Sequence, residues 1–321
     1  MTQVSGTNEK FLTREFIVPK IFQILSPNLF WLDLVNKTKT DSRSITFKKE
    51  TYSDADDPKK KKTRARTPSA QWTYVGLSGF ETDNAVLGKN GFAMRIDENA
   101  IDYTEGIDEI QRGIRKMAYW LGEDLSARIG GDIVAGATTP SWSPAAPWSD
   151  VDNRTPVEDL RLFKKTMRRP GYAYRLTDTI IHLDNLDELE GYLLALDANQ
   201  DIRAKAYGYP EINGDSINVP IVGNIQGVEN GIPEGAILGL DRNNPAATMW
   251  YNNSPRYATK QISYDIYDSN GNKQKKTINN FGFNFNQYTD PDTHEVVLQM
   301  WFDIKTVVNE PYGVIYKSTG L

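Results

Sequence analysis

The clearest periodic signal in the chain lies at residues 104–129, where Ile107, Ile110, Ile114, Met117, Leu121, Leu125 and Ile129 recur at intervals of three and four. That spacing places one apolar stripe along a helix of 3.6 residues per turn. At a rise of ~1.5 Å per residue the helix spans about 40 Å. Thr104 or Asp102 stands where a cap is needed, and Asp108 and Arg112 form an outward pair with the acid first. Gly113 and Gly122 each cost a helix about 1 kcal/mol relative to alanine, so a bend is expected near them.

The flanking patterns are different. Residues 1–39 carry Phe11, Leu12, Phe16, Ile17, Ile21, Phe22, Leu25, Phe30, Trp31 and Leu34, too many apolar positions for a free tail. Pro19 and Pro27 rule out one continuous helix, which predicts an extended arm with short helical pieces lying against another surface. Residues 44–52 alternate as a strand and 71–87 supply its return. The connection DADDPKKKKTRARTP has no apolar anchor, so this hairpin is expected to project from the body.

After a connection rich in proline and tryptophan, Thr155-Pro156-Val157-Glu158 reads as an N-cap, a proline at the first helical position and a reciprocal glutamate. The helix it opens is expected to end at Arg169, before Pro170-Gly171. A short strand at 179–183 and a helix through Leu186, Leu189, Leu193 and Leu194 complete an α/β segment. The apolar runs 235–240 and 247–251 read as paired central strands. Residues 261–267 and 277–285 read as a hairpin around Asn270-Gly271, followed by a long strand at 295–308 and a short one at 314–317. No repeat of solenoid period is present.

Composition narrows the chemistry. Across 321 residues there is no cysteine, and the histidines are His182 and His294, which removes disulfides, thiolate zinc sites and thiol nucleophiles. The net charge of −5 disfavours a dedicated nucleic-acid binder built on a strong positive field. The apolar stretch 16–35 is broken by Pro19, Lys20, Gln23, Pro27 and Asp33 and is neither a signal peptide nor a membrane span.

Two acidic groups, Asp54/Asp56/Asp57 and Asp197/Asn199/Asp201, lack the glycine and the distal carboxylate of a calcium loop, and read as solvated or capping groups. His182 reads as a packed or hydrogen-bonded imidazole and His294 as an exposed turn residue. No nucleophile elbow, phosphate-binding loop or dinucleotide fingerprint occurs. The sequence therefore names no catalytic residue, no cofactor and no metal ligand.

The order of arm, projecting hairpin, long helix, α/β insertion and final long strand resembles the major capsid proteins of tailed double-stranded DNA viruses, the Hong Kong 97-type capsid fold. The stretches that carry the resemblance are KNGFAMRIDENAID at 89–102, TDTIIHLDNLDELEGYL at 177–193, AILGLDRNNPAATMWY at 236–251 and VLQMWFDIKTVVNEPYGVI at 297–315. The resemblance implies an α+β chain with an N-terminal arm at 1–43 and an extended loop at 44–100. A peripheral domain with the spine helix follows at 101–147, then an inserted α/β axial domain at 148–256 and return strands of the peripheral sheet at 257–321.

The function so implied is structural. Copies assemble into pentamers and hexamers of an icosahedral head around DNA contacted non-specifically, built in the host cytoplasm and ending in the virion, with no membrane. Because the arm begins almost at Met1, a separate scaffolding protein is expected beside a portal and decoration proteins. Inter-subunit contact is expected from Phe11, Phe16, Phe22, Phe30 and Trp31 in the arm and from Lys59, Lys60, Lys61, Lys62, Arg64 and Arg66 at the hairpin tip. Exposed ion pairs are worth about 0–1 kcal/mol and are screened by salt, so the basic run would set register more than strength. Neutralising its six charges is expected to slow or misdirect assembly at low salt. Some members of the family crosslink subunits through lysine and asparagine; without an aligned acidic catalyst, that chemistry is not expected here.

Two other readings remain. An encapsulin, a cellular compartment shell, resembles the same fold and encloses cargo enzymes instead of a genome. A β-rich hydrolase or carbohydrate-binding module would suit the seven tryptophans but leaves the long helix and the projecting hairpin unexplained.

Overall fold

A computed structural model describes residues 13–50, 80–97, 104–139, 143–167, 174–199, 211–213, 216–219, 223–267, 271–290, 292–293 and 295–317. The basic hairpin tip, Phe11, Asp102, Asp54, Asp56, Asp57, Asp201 and His294 lie outside them, as do the side chains of Asp108, Asp197 and Asn199. The chain is α+β and divides into two compact units. One comprises Met1–Ile45, Val86–Ile129 and Met249–Thr306, and the other Thr46–Ala85, Gly130–Thr248 and Val307–Leu321.

The first unit opens with helix α1, Arg14–Leu25, which runs through Pro19 instead of stopping there. An interior proline costs about 3 kcal/mol. Against that, Ile17, Val18, Ile21, Phe22 and Leu25 are all buried, and each such side chain is worth roughly 1.5–3 kcal/mol, so packing decides the outcome. Phe22 sits edge-on to Phe283 at 5.0 Å and to Phe281 at 6.0 Å between ring centroids. A 3₁₀ segment, Ser26–Asp33, follows, with Pro27 near its start where a missing N–H is harmless. Its Trp31 is fully buried and donates Nε1–H to Ser126 Oγ at 3.2 Å, and that hydroxyl donates to Asn28 Oδ1 at 3.1 Å. The expected arm, from Arg14 onward, is therefore part of its own unit's core.

Strand β1 is Asn36–Lys39. Strands β2, Ser44–Glu50, and β3, Phe80–Val86, pair with each other as the root of the expected hairpin. Strand β4, Gly88–Ile96, was expected only as an approach to the long helix. Its Phe92, Met94 and Ile96 do alternate, but Gly91 and Ala93 hide the pattern. Gly91 is required: a Cβ there would lie 2.1 Å from the carbonyl oxygen of Met300.

The long helix, α2, is Thr104–Gly136, continuing past the expected end because Ile133 extends the buried stripe. From it Arg128, its side chain 15% exposed, reaches the carbonyl oxygens of Gly88, Phe302 and Ile304 and pairs with Asp124 at 3.7 Å.

Helix α3, Pro156–Met167, starts where expected, but Glu158 accepts from Arg161 at 2.8 Å on the outer face instead of reaching back to the cap. Trp148, fully buried, donates Nε1–H to Asp159 at 3.0 Å. Strand β5, Asp178–His182, leads directly into helix α4, Leu183–Asn199. Strands β6, Glu211–Asn213, β7, Ser216–Val219, β8, Gly223–Val228, and β9, Ile237–Leu240, complete the α/β segment.

Strand β10 is Ala247–Tyr251. The expected pairing of β9 with β10 does not occur, because β9 lies between β5 and the last strand while β10 lies between β1 and the long terminal strand. After β9, the Asp241 carboxylate accepts from the amides of Asn243 and Asn244 and turns the chain out of that sheet.

Strands β11, Gln261–Tyr267, and β12, Lys273–Asn279, form the expected antiparallel ribbon. The anticipated strand 277–285 is broken, however. Gly282 has φ +101°, and Asn280 Oδ1 accepts from the amides of Gly282 and Phe283, so β13 begins anew at Phe283–Thr289. Strand β14, Val296–Val308, pairs with both β13 and β4.

The last strand, β15, Val314–Lys317, was expected to complete the same sheet as β14. It pairs instead with β9, at the end of the six-stranded sheet β15-β9-β5-β8-β7-β6. In that sheet β5 and β8 are parallel, as a strand–helix–strand crossover requires.

Candidate functional site

Large apolar side chains left at the surface mark where a chain has something to offer a partner. Among the described residues of the first unit, Val86 on β3 and Tyr288 on β13 stand exposed, and the others fall into two groups. On α1 and β11, Phe16 is 42% exposed and Tyr267 60% exposed, and both border a groove of about 380 Å³ that Ile17, Pro19 and Ile114 also line. Glu15, Lys20, Arg115 and Asp265 supply charges of both signs around it. The buried face of α1 fixes this arrangement: once Ile17, Ile21 and Phe22 point inward, Phe16 and Lys20 must point outward.

The second group is on α2, where Tyr119 is 51% and Trp120 50% exposed and the Trp120 ring lies 5.8 Å from that of Phe92. Nearby in sequence, Lys89 stands over the Trp301 ring at 4.2 Å. Burial raises the Asp303 carboxyl above its usual range, opposed by the cations Lys89, Arg128 and Arg43.

Of the aromatic residues expected to touch neighbouring copies, the structure separates two kinds. Phe22 and Trp31 are 0% exposed within their own unit, so neither side chain presents surface to a second copy. The expectation failed for them because an apolar residue in an arm has the same letter whether its own core or a neighbour covers it. Phe16 is exposed and Phe30 half-buried. Tyr119, Trp120 and Tyr267 were missed. Their signal was available for the helix, since residues 119 and 120 fall off the apolar stripe that Met117 and Leu121 define.

In the second unit, His182 Nδ1 accepts from the Asp184 amide at 3.4 Å, the hydrogen-bonded imidazole anticipated. Asp178, nearly buried, is held by the guanidinium of Arg242 and by Thr177 Oγ1 at 2.8 Å. Glu310 has its carboxyl raised by burial and by the neighbouring charge of Glu50. Among the described residues, no group of three His, Cys, Asp or Glu could hold a metal ion, and no helix is long and apolar enough to cross a membrane.

No family model and no curated protein matches the sequence. Solved structures do match. The encapsulin SrpI, in a holo complex from Synechococcus elongatus PCC 7942, superposes with a TM-score of 0.53 at 10% identity over 99% of this chain and 91% of that one. The virus-like particle from Pyrococcus furiosus gives 0.52 at 9% identity over 95% and 98%. The capsid of Ralstonia phage GP4 gives 0.49 at 11% identity over 89% and 86%. The fold is therefore one that the encapsulin and the virus-like particle share. The chain has the Hong Kong 97-type capsid fold that its sequence resembles.

Proposed function

We propose that the chain is a shell-forming subunit, and specifically the major capsid protein of a tailed double-stranded DNA virus, closing into pentamers and hexamers around packaged DNA. The observation that carries the reading is the correspondence of fold along almost the whole chain, 99% and 95% of it, with two proteins described as an encapsulin complex and a virus-like particle. The exposed aromatics of α1, α2 and β11 support it, because heterologous contacts repeated around closed rings turn weak pairwise surfaces into a stable assembly.

In this reading residues 1–43 are the arm, 44–100 the extended loop, 101–147 and 257–321 the peripheral domain and 148–256 the axial domain, except that β10 joins the sheet of β14 and β15 the sheet of β9. Phe11, Phe16, Phe30 and the basic run from Lys59 to Arg66 meet neighbouring copies. Portal, scaffolding and decoration proteins are its partners, DNA is contacted non-specifically, and assembly takes place in the host cytoplasm. The subunit's role is structural and calls for no catalytic residue.

The test is electron microscopy of the expressed protein at rising concentration. Polyhedra or hexameric rings are expected, and globular monomers at every concentration would overturn the reading. The encapsulin reading is favoured by the TM-score of 0.53 to SrpI. Nuclease-protected DNA inside particles from infected or induced cells distinguishes the viral head, and a co-purifying enzyme cargo distinguishes the compartment.

A further inference from the structure

The outward face of α2 concentrates charge of one sign. Arg112, Arg115 and Lys116 are all exposed, and between Glu109 and Glu123 the helix carries no acid. Arg112 precedes Arg115 by three residues and Lys116 by four, so the three cations share one face. Like charges at those spacings destabilise a helix, whereas a merely solvated face alternates its signs. Asp108, four residues before Arg112, can offset one charge of the three at most. Among the described residues, none of the three cations forms an ion pair within 4 Å. The chain as a whole is acidic, with 37 basic and 42 acidic residues, so composition does not account for the cluster.

The next turn brings aromatic side chains to the same face. Tyr119 lies four residues beyond Arg115 and Trp120 four beyond Lys116, each about half exposed. At a rise of ~1.5 Å per residue, Arg112 to Trp120 covers about 12 Å. Guanidinium, ammonium and indole N–H groups donate only, and the phenol donates as well, so the face suits a partner made of acceptors. Its half-exposed rings also call for apolar surface. A nucleic-acid backbone supplies both, because each step repeats one phosphate and one sugar. Successive phosphates of a duplex strand rise by about 3.4 Å along the axis, which puts about three of them within the length of the face.

We propose that this face of α2 is a contact surface for the backbone of duplex DNA, with Arg112, Arg115 and Lys116 on phosphates and Tyr119 and Trp120 against the adjoining sugars. The proposal rests on the shell reading for its choice of duplex DNA, the polymer such a head encloses. Contacts of this kind carry no sequence information, and in a chain of net charge −5 they are local and strongly weakened by salt. Tyr119 and Trp120 then serve DNA, and contact between copies through the first unit falls to its other exposed aromatics.

The experiment follows the fluorescence anisotropy of a labelled duplex of about 20 base pairs, of arbitrary sequence, mixed with the unassembled full chain. Neutralising three phosphates implies that raising salt from about 50 to 200 mM weakens binding roughly 40-fold. R112Q/K116Q, left with one cation, should weaken only about 3- to 4-fold over the same range. Y119A/W120A should lose roughly tenfold in affinity at every salt concentration and keep the wild-type salt response. The control K37Q/K165Q removes two exposed charges from β1 and α3 and should behave as wild type. All these positions are exposed, and an unchanged unfolding midpoint checks that each variant is folded. No binding at about 50 mM salt, or the same salt response in R112Q/K116Q and K37Q/K165Q, overturns the proposal. Tighter binding of the acidic peptide SDADDP, residues 53–58, overturns it in favour of a second copy of this chain, and a preference for single strands overturns it in favour of stacking on bases. The measurement needs no particles. Shells built from a chain without DNA affinity sink this inference alone, and DNA affinity in a chain that never forms shells sinks only the shell reading.

Discussion

Truncating Phe22 to alanine separates an arm that belongs to its own core from an arm that serves a neighbour. Phe22 is 0% exposed and meets Phe283, Phe281 and Tyr264 at centroid distances of 5.0, 6.0 and 6.0 Å. A buried Phe→Ala change costs about 3–5 kcal/mol, and with three aromatic partners around the resulting void the value belongs at the upper end, about 4–5 kcal/mol. At about 2–4 °C per kcal/mol for a unit of this size, the unfolding midpoint should fall by roughly 10 °C or more. F16A is the counterpart: with Phe16 42% exposed, it should cost at most about 1 kcal/mol of stability while raising the concentration needed for assembly. The assay is urea and thermal unfolding of unassembled protein beside light scattering of assembly. An F22A subunit as stable as wild type, failing only in assembly, would refute the placement of α1 in the core.

Two further outcomes follow from buried charge. R128M strips the cation from the carbonyls of Gly88, Phe302 and Ile304, and should lower stability by about 3 kcal/mol in urea unfolding; R128K, which keeps the charge but loses the planar fork, should recover only part of it. Asp159 has its carboxyl raised by burial and by Glu158, against the pull of the Trp148 hydrogen bond. Between the ordinary carboxylate range and the raised native value, the folded chain holds a proton that the unfolded chain has released. Raising the pH through that window therefore destabilises the fold, and D159N should flatten this part of the stability profile measured by unfolding midpoints in acidic buffers.

What could be read from the sequence was whatever a local period encodes. The stripe from Ile110 to Ile129 specified the long helix, and the apolar run at 296–308 specified β14. The turn signal at Asn270-Gly271 placed the β11–β12 ribbon. Three features escaped because distant residues decide them. Pro19 lies inside a helix only because β11 and β13 bury its apolar face. Strand β4 exists because β14 accepts a strand with glycine opposite Trp301. The apolar runs at β9 and β10, adjacent in sequence, belong to different sheets, and nothing in their letters assigns their partners. The same blindness governs the candidate contact surface: Phe16 and Phe22 read alike in the arm, and only the phase of α1 sends one outward and the other into the core.

That outcome changes what must hold the proposed shell together. With residues from Ile17 to Leu34 largely absorbed by their own unit, the exposed aromatics left for partners among the first unit's described residues are Phe16, Tyr119, Trp120, Tyr267 and Tyr288, exposed by 42, 51, 50, 60 and 43%. An aromatic side chain offers about 150–250 Å², so each has roughly 100 Å² still to bury, worth about 2.5 kcal/mol at 25 cal/mol per Å². Five of them supply about 12 kcal/mol as an upper value. Association itself costs about 4–15 kcal/mol in lost freedom, so a single pair of copies gains little or nothing from these residues. Around a closed ring each copy is held on two sides, and the second contact forms at high effective concentration without a second full association cost. Marginal pairs and stable rings are the expected consequence, which requires assembly to rise steeply with concentration and dimers to be scarce at every stage.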